Sequence, residues 1–215
     1  MQQILVYGDS LSWGLIPDTR LRLPFADRWP CVLESALTRE GLTVRVIEDC
    51  LNGRRTVWDD PFKAGRNGIV GIQQRMEVNS PLSLVMLMLG TNDFQSMHQH
   101  TPWHSAQGVA SIVRAMREAP IEPGMPVPTI LIIAPPLTRS PASLMGPRFA
   151  GAPERSAGLA DALRLVSVEL GCPFFDAGAI VSTSEIDGVH LDAPATRALG
   201  LALVEPVRAL LAPKG

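Results

Sequence analysis

Five short apolar runs, Ile4–Tyr7, Val44–Ile47, Leu84–Leu89, Ile130–Ala134 and Pro173–Asp176, recur at intervals of roughly 40 residues. Each closes at a Gly, a Pro or a polar turn, as buried strands do. Segments with helical spacing separate them at Trp29–Arg39, Gly68–Asn79, Trp103–Glu118 and Arg155–Leu170. A last such segment, Pro194–Leu211, follows the fifth run, with Asp192 as its expected N-cap. Strands that are continuously apolar and alternate with helices belong to parallel sheets covered on both faces. The expected fold class is therefore α/β, a three-layer α/β/α sandwich around a parallel sheet of about five strands. With 215 residues, one domain spanning 1–215 is expected.

Charge and cysteine content remove several function classes. Nineteen Lys and Arg against 21 Asp and Glu leave a net charge of −2, without the basic excess of a nucleic-acid or anionic-membrane binder. Cys31, Cys50 and Cys172 are odd in number and lack any Cys-x-x-Cys pair, so they read as small buried hydrophobes. Met1-Gln2-Gln3 leads directly into the first strand without the features of a signal peptide, so a cytoplasmic location is expected. Leu82–Leu89, bounded by Pro81 and Gly90, is far too short to cross a bilayer. No membrane or nucleic-acid partner is expected.

In open parallel sheets the functional crevice lies beyond the carboxyl ends of the strands. The residues placed there are Gly8-Asp9-Ser10-Leu11, Gly53-Arg54-Arg55-Thr56, Gly90-Thr91-Asn92-Asp93 and Pro135-Pro136. Long loops at Asp59–Asn67, Phe94–Pro102 and Leu137–Glu154 follow the same edges, where loops of that length commonly serve a site. Ser10 alone reads first as a helix N-cap; as a nucleophile it would present its hydroxyl at the crevice. Asp187-Gly188-Val189-His190 reads either as an Asp-Gly surface turn or as a base with its orienting carboxylate on one loop. Asn92, with two amide N–H donors, and Gly53, with an unobstructed backbone N–H, are ordinary turn residues that would also suit an oxyanion hole. The coincidence of all four pieces at one sheet edge favours acyl transfer over the separate local readings.

These residues resemble the four blocks of the SGNH (GDSL) hydrolases: Gly8-Asp9-Ser10-Leu11, Gly53, Gly90-Thr91-Asn92-Asp93 and Asp187-x-x-His190. The second block, Cys50-Leu51-Asn52-Gly53-Arg54, departs from the usual Gly-x-Ser-Gly. The resemblance implies a flavodoxin-like fold with Ser10 as nucleophile, His190 as base and Asp187 as its partner. It also implies an oxyanion hole from the Ser10 and Gly53 N–H groups and the Asn92 amide. Trp13-Gly14, Val46-Ile47-Glu48, Asp59-Asp60-Pro61 and Phe174-Phe175-Asp176-Ala177-Gly178 are similar to the bacterial arylesterases and acyltransferases of that family. This narrower likeness implies short acyl esters as substrates, acyl transfer to alcohols or peroxide as a side activity, no cofactor and a homo-oligomer.

Leu11, Trp13, Thr91 and Val189 are expected to line the substrate pocket, Trp13 equally suiting simple packing on the first helix. Arg54 and Arg55 suit either a substrate carboxylate or an internal salt bridge. His98, His100 and His104 on one loop have imidazoles for zinc but no supporting carboxylate or Cys, so no metal is expected. A carbohydrate acetylesterase would use the same residues. A nucleotide or flavin binder on the same sheet is disfavoured, because no Gly-x-Gly-x-x-Gly or Gly-x-x-x-x-Gly-Lys-Ser/Thr cradle follows any strand.

Overall fold

A computed structural model describes residues 1–212. Its strands are β1 (Gln2–Gly8), β2 (Val44–Cys50), β3 (Leu84–Met88), β4 (Thr129–Ala134) and β5 (Phe174–Asp176), all parallel, in the spatial order 2-1-3-4-5. The helices are α1 (Ser10–Trp13), α2 (Trp29–Arg39), α3 (Ile72–Asn79), α4 (Pro102–Arg117), α5 (Ala152–Ser156), α6 (Leu159–Glu169), α7 (Ala193–Ala202) and α8 (Val204–Leu211).

The continuous apolar strands follow from covering both faces of the sheet. Leu5, Tyr7, Val85, Leu87, Ile130 and Ile132 pack against α3, α4 and α6 through Met76, Val109, Val113 and Leu163. Their alternate neighbours Ile4, Val6, Leu84, Met86, Leu131 and Ile133 pack against α2, α7 and α8 through Trp29, Leu33, Leu199 and Val207. Successive side chains leave a strand on opposite faces, so each apolar residue of β1, β3 and β4 serves one of two cores. Truncating a buried leucine such as Leu33 to Ala would cost about 2–5 kcal/mol.

Three helices differ from expectation. The segment at 68–79 becomes helical only at Ile72, after Gly71 takes a left-handed φ of 77°. The segment at 155–170 belongs to two helices, parted where Gly158 turns with φ 87°. The last segment breaks after Ala202; Pro206 lacks the N–H that would have continued its ladder. Asp192 caps α7 by accepting from the Ala195 N–H at 2.9 Å. Cys31 is buried, whereas Cys50 and Cys172 are only half-buried, so the small-hydrophobe reading fits Cys31 best. Among the described residues no helix is long and apolar enough to cross a membrane.

In this strand order the chain moves from β1 outward to β2, then back across β1 to β3. The loops after β1 and β3 therefore diverge at the switch point, where a doubly wound sheet opens its crevice. Ser10 stands after β1 and Asn92 after β3.

Candidate active site

The turn after β1 is shaped by Asp9, whose carboxylate caps α1 by accepting from the Leu11 N–H at 2.9 Å. The cap role suggested for Ser10 thus falls to its neighbour, and the Ser10 hydroxyl is free to face the crevice. Ser10 Oγ lies 3.1 Å from His190 Nε2, and His190 Nδ1 lies 2.7 Å from Asp187 Oδ2. All three side chains are buried.

Asp187 is held by more than the imidazole. Its Oδ1 accepts from the Val189 and His190 N–H groups, each at 2.9 Å, and its Oδ2 accepts from the Asp18 N–H at 3.2 Å. Burial pushes the Asp187 carboxyl up, but the His190 ring, the His190 N–H, the His190 charge and the Val189 N–H together hold it well below the usual carboxylate range. Gly188 allows this loop to sit close to the chain at 139–140: a Cβ there would lie 2.3 Å from the Arg139 carbonyl oxygen. The same approach lets the Arg139 N–H donate to the Gly188 carbonyl at 2.8 Å. An imidazole so tethered presents Nε2 to Ser10 in a single tautomer, with Nδ1–H donated to Asp187.

Ser10, Gly53 and Asn92, which border the same cavity, carry donors without a partner. The Asn92 amide donates one N–H to Asp9 Oδ2 at 2.8 Å, and its oxygen accepts from Gln95 Nε2 at 2.7 Å, which leaves the second N–H unused. Neither the Ser10 nor the Gly53 backbone N–H has an acceptor among the described residues. Gly53 adopts φ 84°, a conformation natural to glycine. Burial raises the Asp9 carboxyl to about 6, opposed by the Leu11 N–H, His190, the Asn92 amide and Arg54.

Ser10, Gly53, Asn92, Asp187 and His190 line one cavity of about 100 Å³. The expected apolar wall lies elsewhere. Leu11 is buried in the core beneath α2 and α7, and Val189 in the core on the opposite face of the sheet. Thr91 lines a separate small cavity with Phe94 and Leu159, and Trp13 lies beneath the Arg22 guanidinium, 5.0 Å away. None of these four lines the cavity; its apolar wall is instead Leu15, Leu144, Met145 and Phe149. These residues come from the turn after α1 and from the long loop after β4. The length of that loop was the available signal, though no local pattern identifies which of its side chains turn inward.

Arg54 and Arg55 serve the scaffold. Arg54 reaches Asp49 at 2.7 Å and stacks 3.9 Å from the Tyr7 ring, and the fully buried Arg55 pairs with Asp60 at 2.8 Å. Of the three histidines, His98 and His100 stack rather than converge on a point, with Trp58 4.1 Å from His100 and His100 4.8 Å from His98, while His104 on α4 lies tilted to His100 at 5.8 Å.

The family model for GDSL-like lipase/acylhydrolase proteins matches residues 6–198. A carbohydrate acetylesterase family member from Sinorhizobium meliloti superimposes with a TM-score of 0.91 at 38% identity, covering 98% of this chain and 99% of its own. The inhibitor-bound aryl esterase of M. smegmatis superimposes with a TM-score of 0.91 at 33% identity, covering 98% and 100%. An arylesterase from Vibrio mimicus is 33% identical over 92 residues, which span 43% of this chain and 38% of that relative.

Proposed function

The chain belongs to the GDSL-like lipase/acylhydrolase family of ester hydrolases, and we propose that it cleaves short-chain acyl esters, of the arylesterase type, through a Ser10-His190-Asp187 triad. The observation that carries this reading is the relay from Ser10 Oγ to His190 Nε2 at 3.1 Å and from His190 Nδ1 to Asp187 Oδ2 at 2.7 Å.

In this mechanism Ser10 Oγ attacks the ester carbonyl carbon as its proton passes to His190 Nε2. Asp187 holds the imidazole and stabilises the cation that forms. The carbonyl oxygen becomes negative and is received by the Ser10 and Gly53 N–H groups and the free N–H of Asn92. Collapse breaks the bond to the alcohol or phenol, which leaves with the proton from His190. Water then gives its proton to His190 and attacks the acyl-enzyme, releasing the acid and restoring Ser10. An alcohol or peroxide in place of that water gives acyl transfer.

The cavity of about 100 Å³ suits an acetyl or similarly short acyl group. Polar lining favours a second reading, acetylated carbohydrate as substrate. Asn52 and Thr19 face the cavity, and the Asn52 Oδ1 is buried without a donor, a place for a substrate hydroxyl. A panel of aryl acyl esters and acetylated sugars, assayed with and without a serine-reactive phosphonate, tests both. Failure to cleave any short-chain ester would remove the proposal; cleavage of the sugars alone would select the second reading.

A further inference from the structure

The net charge of the chain is −2, yet the cavity mouth is cationic. Arg20, Lys63 and Arg148 line it beside Ser10 and His190. Arg66 lies behind this lining, its guanidinium donating only to the carbonyl oxygens of the lining residue Asn52 at 3.1 Å and of Ala64 at 2.8 Å. The nearby carboxylates offset only part of this charge. Asp60 lies 2.8 Å from the buried Arg55 and 3.8 Å from Arg148, so its charge is spent chiefly on Arg55. Asp187 is occupied by His190 and three backbone N–H groups, leaving Asp18 as the acidic side chain of the lining without a cationic partner.

The cations also face one another. Desolvation, and then Arg66, Arg148 and Arg20, lower the Lys63 ammonium pKa against the pull of Asp60. Desolvation lowers that of Arg148 too, where Arg55, Arg20 and Arg66 repel and Asp60 attracts. Arg148 is close to the chemistry: a Cβ built on Gly53 would lie 3.7 Å from Arg148 Nη2. A group of like charges at a catalytic cleft is relieved by an anion, and a guanidinium with free donors takes a carboxylate in two parallel hydrogen bonds.

Resting on the esterase reading above, we propose that this site prefers esters that carry a carboxylate, with Arg148 as its principal anchor and Lys63 and Arg20 as supporting charges. The preference sets specificity and leaves the acylation chemistry unchanged.

Two pairs of substrates test it and locate the charge: 4-acetoxybenzoate against its methyl ester, with the carboxylate on the leaving group, and monophenyl succinate against its methyl ester, with the carboxylate on the acyl group. In at least one pair the acid form is expected to show about fivefold or higher kcat/KM at low ionic strength. That ratio should shrink in about 0.5 M sodium chloride, where partly exposed charges are screened. Arg148→Gln should lower the ratio and Arg148→Lys should keep part of it. Lys63→Gln, at an exposed side chain, supplies a second variant should Arg148→Gln fold poorly. A guanidinium that only stabilised the oxyanion would lower both members of a pair alike. A ratio at or below one in both pairs, or one unmoved by both Gln variants, overturns the proposal. Failure to cleave any of the four esters, with Ser10 unlabelled by phosphonate, strikes the esterase reading instead.

Discussion

Asp9 and Asn92, 83 positions apart in the chain, are joined by a 2.8 Å hydrogen bond from the Asn92 amide to the Asp9 carboxylate. The residue before the proposed nucleophile thereby fixes the side chain proposed to receive the oxyanion. Because a donor used in the transition state contributes mainly to kcat, Asn92→Ala should lower kcat about 10²–10³-fold on a short aryl ester. Asp9→Ala, which frees the amide to rotate, should lower kcat in the same direction with the fold intact by circular dichroism. A rise in KM alone for Asn92→Ala would make it a substrate contact.

The serine assignment has its own test. A serine-reactive phosphonate should add to Ser10, identified by mass spectrometry of the peptide, and Ser10→Ala should abolish labelling and lower turnover by several orders of magnitude to a small residual rate. Ser12 is the competing hydroxyl, but it is fully buried on the sheet side of α1, and a Cβ on Gly8 would lie 2.4 Å from its Oγ. Labelling at Ser12 would refute the assignment.

Much of this arrangement is legible in the sequence because it is local. Parallel strands covered on both faces must be apolar throughout, so β1, β3 and β4 stand out as runs. Ser10, Gly53 and Asn92 each follow a strand, and a sheet edge brings such residues together whatever lies between them. The cavity wall is a different matter. Leu15, Leu144, Met145 and Phe149 reach it from two irregular segments whose inward side chains have no periodicity to betray them. Leu11 and Val189, adjacent to Ser10 and His190 in sequence, point the other way because neighbours on a turn diverge.

Asp93 gives a stability prediction independent of the triad. Its carboxylate accepts from the Thr56 N–H at 3.0 Å, the Thr56 hydroxyl at 2.7 Å and the Ser105 hydroxyl at 2.7 Å. Burial nevertheless raises its carboxyl from 3.8 to about 6, against the pull of these donors and Arg55. Between those values the folded protein holds a proton that the unfolded chain has released, so stability falls as pH rises from about 4 to 6 and then levels. Asp9 adds a contribution of the same sign. Urea denaturation midpoints across this range should fall less steeply for Asp93→Asn than for the wild type; equal slopes would refute the account.

The histidine loop predicts indifference to chelation. His98, His100 and Trp58 meet ring face to ring face, and among the described residues no group of three His, Cys, Asp or Glu could hold a metal ion. Dialysis against EDTA should leave esterase activity intact, while His100→Ala should cost about 0.5–1.5 kcal/mol of stability through the lost stacking. An apoenzyme that is inactive after EDTA and restored by zinc would contradict this.

The relay itself is tested by whether its members act as one unit. Asp187 bonds Nδ1 of His190 and does not touch Ser10, so its effect on catalysis passes through the imidazole. Asp187→Asn would replace the carboxylate with an amide that favours the wrong tautomer; a serine-protease precedent sets the expected loss in kcat at up to about 10⁴-fold. Three backbone N–H groups also bond that carboxylate, so the variant should lose some stability, and folding must be checked before rates are compared. Once Ser10 is removed the imidazole has no proton to accept, and its orientation ceases to matter. Ser10→Ala combined with Asp187→Asn should therefore be barely slower than Ser10→Ala alone, measured on a short aryl ester with rates above background. Strictly additive losses would mean that Asp187 acts independently of Ser10, and the triad would have to be abandoned.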